Sequence, residues 1–205
     1  MSFNIEKIIY INLDKRQDRR KEIEKEFYNM DLQCERFAGI VHPIAGNIGC
    51  GLSHLAVLKL AKERNYKNIL IVEDDFTFRV DKEFLEHQLS LFFDSKIKYD
   101  VLMLAYNTKD EYKTDIHNMP SFKRLSFAHT GSCYLVNQHY YDKLIDLFEL
   151  SIPKLIETGH HWLYAIDAAW KELQEIDMWI LSAPEIGIQR AGYSDNTERW
   201  ENYGA

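Results

Sequence analysis

The residues with the clearest chemical content stand at positions 73–75. Ile69-Leu70-Ile71-Val72 is a continuous apolar run, and Glu73-Asp74-Asp75 close it. Three carboxylates at the end of a buried strand repel one another. A hard divalent cation, Mn²⁺ or Mg²⁺, relieves that repulsion, because such ions prefer oxygen ligands. Strand alternation places Glu73 and Asp75 on one face and Asp74 on the other. Asp75 is therefore the first candidate metal ligand and Glu73 the second. The bland alternative is a strand running out into solvated turn acids.

Basic residues gather after the first apolar run. Arg16, Arg19 and Arg20 follow Ile8-Ile9-Tyr10-Ile11-Asn12-Leu13. A guanidinium forks onto phosphate or carbonyl oxygens, and a helix N-terminus at that point also favours anions. For Arg20 the reading as a solvated helix face is the stronger one, and Asp14 reads as a plain N-cap. Gly49, Gly51, Ser53 and His54 open a second helical segment, where glycines permit close backbone approach. His54 is either functional or a core histidine. Asp167 is an acid inside the otherwise apolar Ile166-Asp167-Ala168-Ala169-Trp170, so burial should raise its pKa or force it to pair. Cys50 and Cys133 read as packing residues rather than nucleophiles. His160-His161 reads as a surface pair, and the aromatics Trp162, Tyr193, Trp200 and Tyr203 carry no assigned role.

These residues need elements to position them. Strands are expected at residues 8–13, 34–38, 69–72, 101–104, 132–136 and 178–181. Helical periodicity marks residues 16–30, 50–64, 81–93, 139–150 and 162–175. Asp14 and Gln17 have capping-box spacing. Residues 109–127 are polar and irregular, and the last twenty read as a tail on the domain. Apolar strands alternating with helices predict an α/β fold with a mixed, mostly parallel sheet flanked by helices. Ligands on such sheets bind beyond the strand C-terminal ends.

Composition narrows the class. The chain has 205 residues, 46% hydrophobic and 13% aromatic, which predicts one globular domain over residues 1–205 rather than a disordered chain. A formal charge of −7 disfavours nucleic acid as the partner. Cys34, Cys50 and Cys133 have neither disulfide-scaffold nor metal-ribbon spacing. No run approaches a transmembrane helix, no secretory h-region follows Met1, and the expected compartment is a reducing cytoplasm.

Three protein classes place acids as residues 73–75 do. Receiver domains open with such a strand and need a later Asp where this chain has Ala105. Haloacid-dehalogenase phosphatases need Asp where Glu73 stands. Nucleotide-sugar glycosyltransferases of the GT-A type carry the acids mid-chain, as here. Six segments in order resemble glycosyltransferase family 25, the lipooligosaccharide and collagen galactosyltransferase-like enzymes. They are residues 11–20, Gly49-Cys50-Gly51-Leu52-Ser53-His54, Glu73-Asp74-Asp75, residues 130–136, Asp167, and Gln189 with Ser194-Asp195.

That resemblance implies a GT-A-like, Rossmann-like fold and a metal-dependent, inverting transfer. A hexose, galactose or glucose, would pass from a UDP-sugar to a hydroxyl of a glycan or protein acceptor, as in lipopolysaccharide biosynthesis. Asn12, Leu13, Arg16, Arg19, Ser53, His54 and Asp74 would contact the donor, with Asp74 reaching ribose. Glu73, Asp75 and Asp195 would hold the metal, with His160 or His161 as the other source of a distant ligand. Asp167 would be the general base. The rival expectation is a non-catalytic GT-A-like domain that binds a nucleotide or a partner.

Overall fold

A computed structural model describes residues 4–195 and 199–202. Its first half alternates strand and helix: β1 (Lys7–Asn12), α1 (Gln17–Asn29), β2 (Glu35–Ala38), α2 (Gly46–Glu63), β3 (Asn68–Glu73), β4 (Phe76–Phe78) and α3 (Lys82–Asp94). Then come β5 (Val101–Met103), β6 (Lys113–Asp115), β7 (Phe122–Leu125), β8 (Cys133–Asn137) and α4 (Tyr141–Thr158). Three short helices follow, α5 (His161–Tyr164), α6 (Ile166–Ala169) and α7 (Lys171–Ile176). The chain closes with β9 (Trp179–Ser182), β10 (Gly187–Gln189), β11 (Gly192–Ser194) and β12 (Arg199–Glu201).

Eight strands form one mixed sheet in the order β2-β1-β3-β8-β5-β9-β7-β6. β2, β1 and β3 pair in parallel, as do β5 and β9, while β8 runs antiparallel between β3 and β5. The β6–β7 hairpin extends the sheet antiparallel to β9. The expected α/β architecture is therefore present, with the antiparallel share raised by β8 and that hairpin. Reversal of β8 has a consequence for chemistry. The loop that precedes it, rather than the one that follows it, lies at the C-terminal ends of β1, β3 and β5.

Strand alternation divides the core into two layers. Ile9, Ile69 and Ile71 pack with α2 and α4, whereas Tyr10, Leu70 and Val72 pack with α1 and α3. Fully buried Trp170 and Trp179 stack edge-on at 5.1 Å in the first layer. On the second side, β10 pairs with β4, and a Cβ on Gly187 would lie 2.3 Å from the Phe76 ring. Only glycine lets that strand close over Phe76, and the closure carries Gln189 to the sheet edge.

Several local expectations are corrected. α2 begins at Gly46, four residues before Cys50, so Gly49 and Gly51 lie inside the helix. Residues 139–150 continue helically to Thr158, through Pro153, until Gly159 ends the helix at φ +69°. Residues 162–175 are not one helix, because Ala165 is extended (ψ 150°) and breaks the run. The irregular stretch 109–127 contains β6 and β7, whose short length leaves little periodicity to read. No capping box forms at α1. Arg16 is the N-cap and Asp14 instead accepts from Arg36 at 2.5 Å, while the Gln17 amide donates to the Asp14 carbonyl.

Candidate active site

β1 and β3 deliver Asn12 and Glu73 to the same sheet edge, and the turn after β3 places Asp74 and Asp75 beside them. A cleft of about 240 Å³ opens there between the β1–α1 turn and the loop joining β2 to α2. It is lined by Asn12, Leu13, Lys15, Arg19, Ser53, His54, all three acids and Asp195, among others. Most of the expected donor and metal residues thus converge. Arg16 does not line the cleft but braces its rim.

Arg19 organises the acids. Its Nη1 donates to Asp74 Oδ1 at 3.0 Å and to Asp75 Oδ2 at 2.9 Å, and its Nη2 donates to the Tyr193 carbonyl at 2.8 Å. Asn12 Nδ2 donates to Asp74 Oδ2 at 2.7 Å, and Gln189 Nε2 to Asp75 Oδ2 at 3.1 Å. The expected alternation stops at Glu73, where the strand ends, so Asp74 and Asp75 meet on one guanidinium rather than on opposite faces. Asp75 Oδ1 is buried and has no hydrogen-bond partner among the described residues. Burial, the Glu73 charge and the Asp74 charge push the Asp75 carboxyl up to about 7, against the pull of Arg19 and Gln189. Burial also raises Asp74, with Arg19 and Asn12 opposing.

This has a sign that can be measured. A carboxyl whose folded pKa lies above its unfolded value holds its proton longer in the folded state. Its charge therefore costs stability, increasingly as pH rises from about 4 to about 7. A divalent cation held at these acids would offset that charge. We expect the Mn²⁺-induced rise in Tm to be larger at pH 8 than at pH 5. An equal rise at both values would separate metal binding from the acid cluster.

The basic turn is pinned to the C-terminal segment. Arg16 Nη1 donates to Asp195 Oδ2 at 2.6 Å and its other nitrogens to Asp18, while Lys15 pairs with Asp195 Oδ1 at 2.7 Å. Burial opposes ionisation of Asp195, but Lys15 and Arg16 hold it below the usual carboxylate range. Both Asp195 oxygens are engaged by cations, so it stands apart from the other acids as an anchor of the turn. Arg20 pairs with Glu24 on the exposed face of α1, as its solvated reading required. Leu13 accepts the Arg16 amide at 2.9 Å, shaping the turn that lines the cleft.

Glu73 points the other way, onto α2. Its Oε1 lies 3.0 Å from His54 Nε2 and 3.7 Å from Cys50 Sγ, and His54 Nδ1 lies 2.7 Å from the Tyr134 hydroxyl. Burial disfavours the Glu73 charge, yet His54, Arg19 and Cys50 together keep it below its ordinary value. Burial and the charges of Glu73, Asp167 and Asp75 push the Cys50 thiol well above its ordinary value. Ser53 is buried, and its hydroxyl accepts from the Ile40 amide at 2.8 Å and donates to the Gly49 carbonyl at 2.7 Å. It ties the β2–α2 loop to the helix. Gly49 serves the same junction, since a Cβ there would lie 2.4 Å from the Ile40 carbonyl oxygen. Gly49→Ala should cost about 1–3 kcal/mol by overpacking. Urea unfolding measures this, and an unchanged midpoint would mean the loop yields freely.

A second cleft, about 350 Å³, adjoins the first through Cys50, Glu73 and Gln189, which line both. It contains Asp167, His129, Thr130 and Asn107. Asp167 is not buried as its apolar neighbours suggested. Its side chain is 36% exposed, because α6 is a single turn at the cleft wall and Ile166 and Ala168 take the inward positions. Asp167 Oδ2 accepts weakly from the Thr130 amide at 3.4 Å and lies 3.9 Å from His129 Nδ1. A third pocket, about 280 Å³, continues from Asn107, Thr130 and Gln189 to Lys113 and Glu185. His129, Asn107 and Lys113 had no motif in the sequence. Gln189 was visible only as part of the C-terminal resemblance.

Asp75 Oδ1 suits a hard cation, being a buried carboxylate oxygen with no hydrogen-bond partner among the described residues, while Asp75 Oδ2 and both Asp74 oxygens accept from Arg19, Gln189 and Asn12. His160 and His161 lie on the exposed surface, where His160 stacks on Trp162 at 4.7 Å. Tyr193 and Trp200 face each other across the exposed β11–β12 hairpin, and Tyr203 lies outside the described residues. No helix among the described residues is long and apolar enough to cross a membrane.

A search of curated proteins gives no match. Among solved structures, the chain resembles a glycosyltransferase involved in the glycosylation of the major capsid of PBCV-1, with a TM-score of 0.56 at 9% identity over 94% of this chain and 95% of that one. It also resembles A197 from STIV, with a TM-score of 0.51 at 9% identity over 92% and 95% of the two chains. Those likenesses place the fold in the GT-A-like class. Residues 44–159, more than half of the chain, match the family model described as glycosyltransferase family 25 (LPS biosynthesis protein). That match spans α2, the acid cluster and the second cleft's Thr130, and with it the chain belongs to glycosyltransferase family 25.

Proposed function

We propose that this protein transfers a hexose, galactose or glucose, from a UDP-sugar to a hydroxyl of a glycan acceptor, with inversion and with Mn²⁺ or Mg²⁺. The observation that carries the reading is the pair of joined clefts, with the Arg19–Asp74–Asp75 cluster in one and Asp167 in the other. The first cleft offers a donor site. Asn12, Leu13 and Asp74 line the floor for nucleoside, and Lys15, Arg19 and the N-terminus of α2 at Gly46 supply positive potential for a diphosphate. Arg16 acts at one remove, by holding Asp195 and the Tyr193 carbonyl in place. Asp75, with Asp74, would hold the cation, which when bound neutralises charge on the departing diphosphate.

The second cleft offers the acceptor site. Asp167 is part-exposed there, 3.9 Å from His129 Nδ1, and burial disfavours the His129 charge, so the carboxylate is available to take a proton from an acceptor hydroxyl. That hydroxyl oxygen then bonds to the sugar's anomeric carbon as the bond to the UDP oxygen breaks, on the opposite face. The pocket beyond Asn107 and Thr130 extends the acceptor site past one sugar ring, which favours an oligosaccharide acceptor. Three free thiols suit a reducing, cytoplasmic setting.

Two measurements test this. Binding of UDP and a panel of UDP-sugars, with and without Mn²⁺, should be metal-dependent, and one donor should release UDP. Binding without donor consumption would instead favour the non-catalytic domain, and no UDP binding would remove the donor assignment. Asp167→Asn should lower kcat by about 10²–10⁴-fold with little change in donor affinity. Wild-type kcat in that variant would exclude Asp167 as the base.

A further inference from the structure

Cys50 and His54 are one helical turn apart on α2, and Glu73 meets them from the end of β3. Their ligand atoms, Sγ, Nε2 and Oε1, all lie within 4.8 Å of one another. Zn²⁺ bonds of about 2.3 Å to sulfur and about 2.0–2.2 Å to nitrogen and oxygen put tetrahedral edges at about 3.3–3.6 Å. The observed separations, 3.0 Å from Nε2 to Oε1 and 3.7 Å from Sγ to Oε1, bracket that value. We propose that Cys50, His54 and Glu73 form a binding site for Zn²⁺, distinct from the hard-cation site at Asp74 and Asp75.

Three further features support it. Thiolate, imidazole and carboxylate are a borderline-soft set that selects Zn²⁺ over Mn²⁺ or Mg²⁺, whereas Asp75 offers oxygen alone. Tyr134 stands 2.7 Å from His54 Nδ1 and fixes the ring, as the outer partner of a metal-bound histidine does. Cys50 and Glu73 line both clefts, so a fourth coordination position opens toward solvent and an ion has a route in. The protons balance simply. Cys50 loses its proton to solvent as sulfur bonds the metal. His54 would present Nε2 without a proton and carry its ring proton on Nδ1, donating to the Tyr134 oxygen, whose own hydroxyl hydrogen turns away. The two anionic ligands then neutralise the dication.

The test uses the full chain, stripped of metal. Co²⁺, a spectroscopic stand-in for Zn²⁺, should give a thiolate-to-cobalt charge-transfer band that saturates at one equivalent and is abolished by one equivalent of Zn²⁺. Cys50→Ser should lose the band, and Cys34→Ser should keep it. If Cys50→Ser fails to fold, alkylation of the wild-type protein decides. One equivalent of Zn²⁺ should slow modification at Cys50 at least about tenfold, as mapped by peptide mass. Absence of the band, its survival in folded Cys50→Ser, or unprotected Cys50 would each overturn the site. Activity is not needed for any of these readings, so they are independent of the proposed transfer.

Discussion

Asp75→Asn will lower metal-dependent sugar transfer by about 10²–10³-fold, the scale of losing one group that stabilises developing charge. Asn keeps the shape and can still meet Arg19 and Gln189, but it removes the carboxylate oxygen that has no hydrogen-bond partner among the described residues. The fold should survive. The wild-type carboxyl is itself raised to about 7 by burial and by its acidic neighbours, so a neutral amide relieves that repulsion rather than creating it. We therefore expect a urea midpoint near that of the wild type, with the Mn²⁺-induced Tm rise abolished. Transfer rates measured across Mn²⁺ concentrations check this. An unchanged rate and metal dependence would show that the cation binds elsewhere.

The second large effect is on stability. Arg19→Met will destabilise the protein by about 3–5 kcal/mol, because it strands two buried carboxylates that shared one guanidinium. Asn12 and Gln189 still donate to them, but neither carries charge. The variant also loses the link to the Tyr193 carbonyl, which joins α1 to the C-terminal hairpin. The deficit should shrink at pH 5, where the Asp75 carboxyl takes up a proton and the stranded charge falls. It should shrink again in Arg19→Met/Asp75→Asn, by a coupling that a double-mutant cycle reads directly. Urea unfolding of the four proteins at pH 5 and pH 8 measures both. Additive effects with no pH dependence would mean that Arg19 supports the fold by packing alone.

Parts of the site were legible because their signals are local. Ile69 to Val72 form a run of apolar residues long enough to announce a buried strand, and acids directly after it must sit at the strand's end whatever surrounds them. Arg16 to Arg20 follow β1 closely enough to be confined to the same edge. The same logic failed where helix limits depend on packing. Gly49 reads as a helix opener, yet it is glycine because the Ile40 carbonyl crosses α2 at that point. Asp167 reads as a buried acid among apolar residues, yet the helix breaks at Ala165 and turns it toward the cleft.

By itself, the sequence determined the α/β alternation, the acid cluster at a strand end and the basic turn facing it, since each follows from residues within one or two elements. Tertiary structure alone decided the partnerships. Whether Glu73 meets His54 or Arg19 depends on which helix covers each face of β3. Whether Gln189 reaches Asp75 depends on β10 closing over Phe76 from 114 residues away. Asp167 shares a cleft wall with Thr130 only because β8 runs backward through the sheet and brings its leading loop to the site. Such contacts join residues whose spacing in the chain carries no period, so they are fixed by packing and strand order rather than by any local pattern.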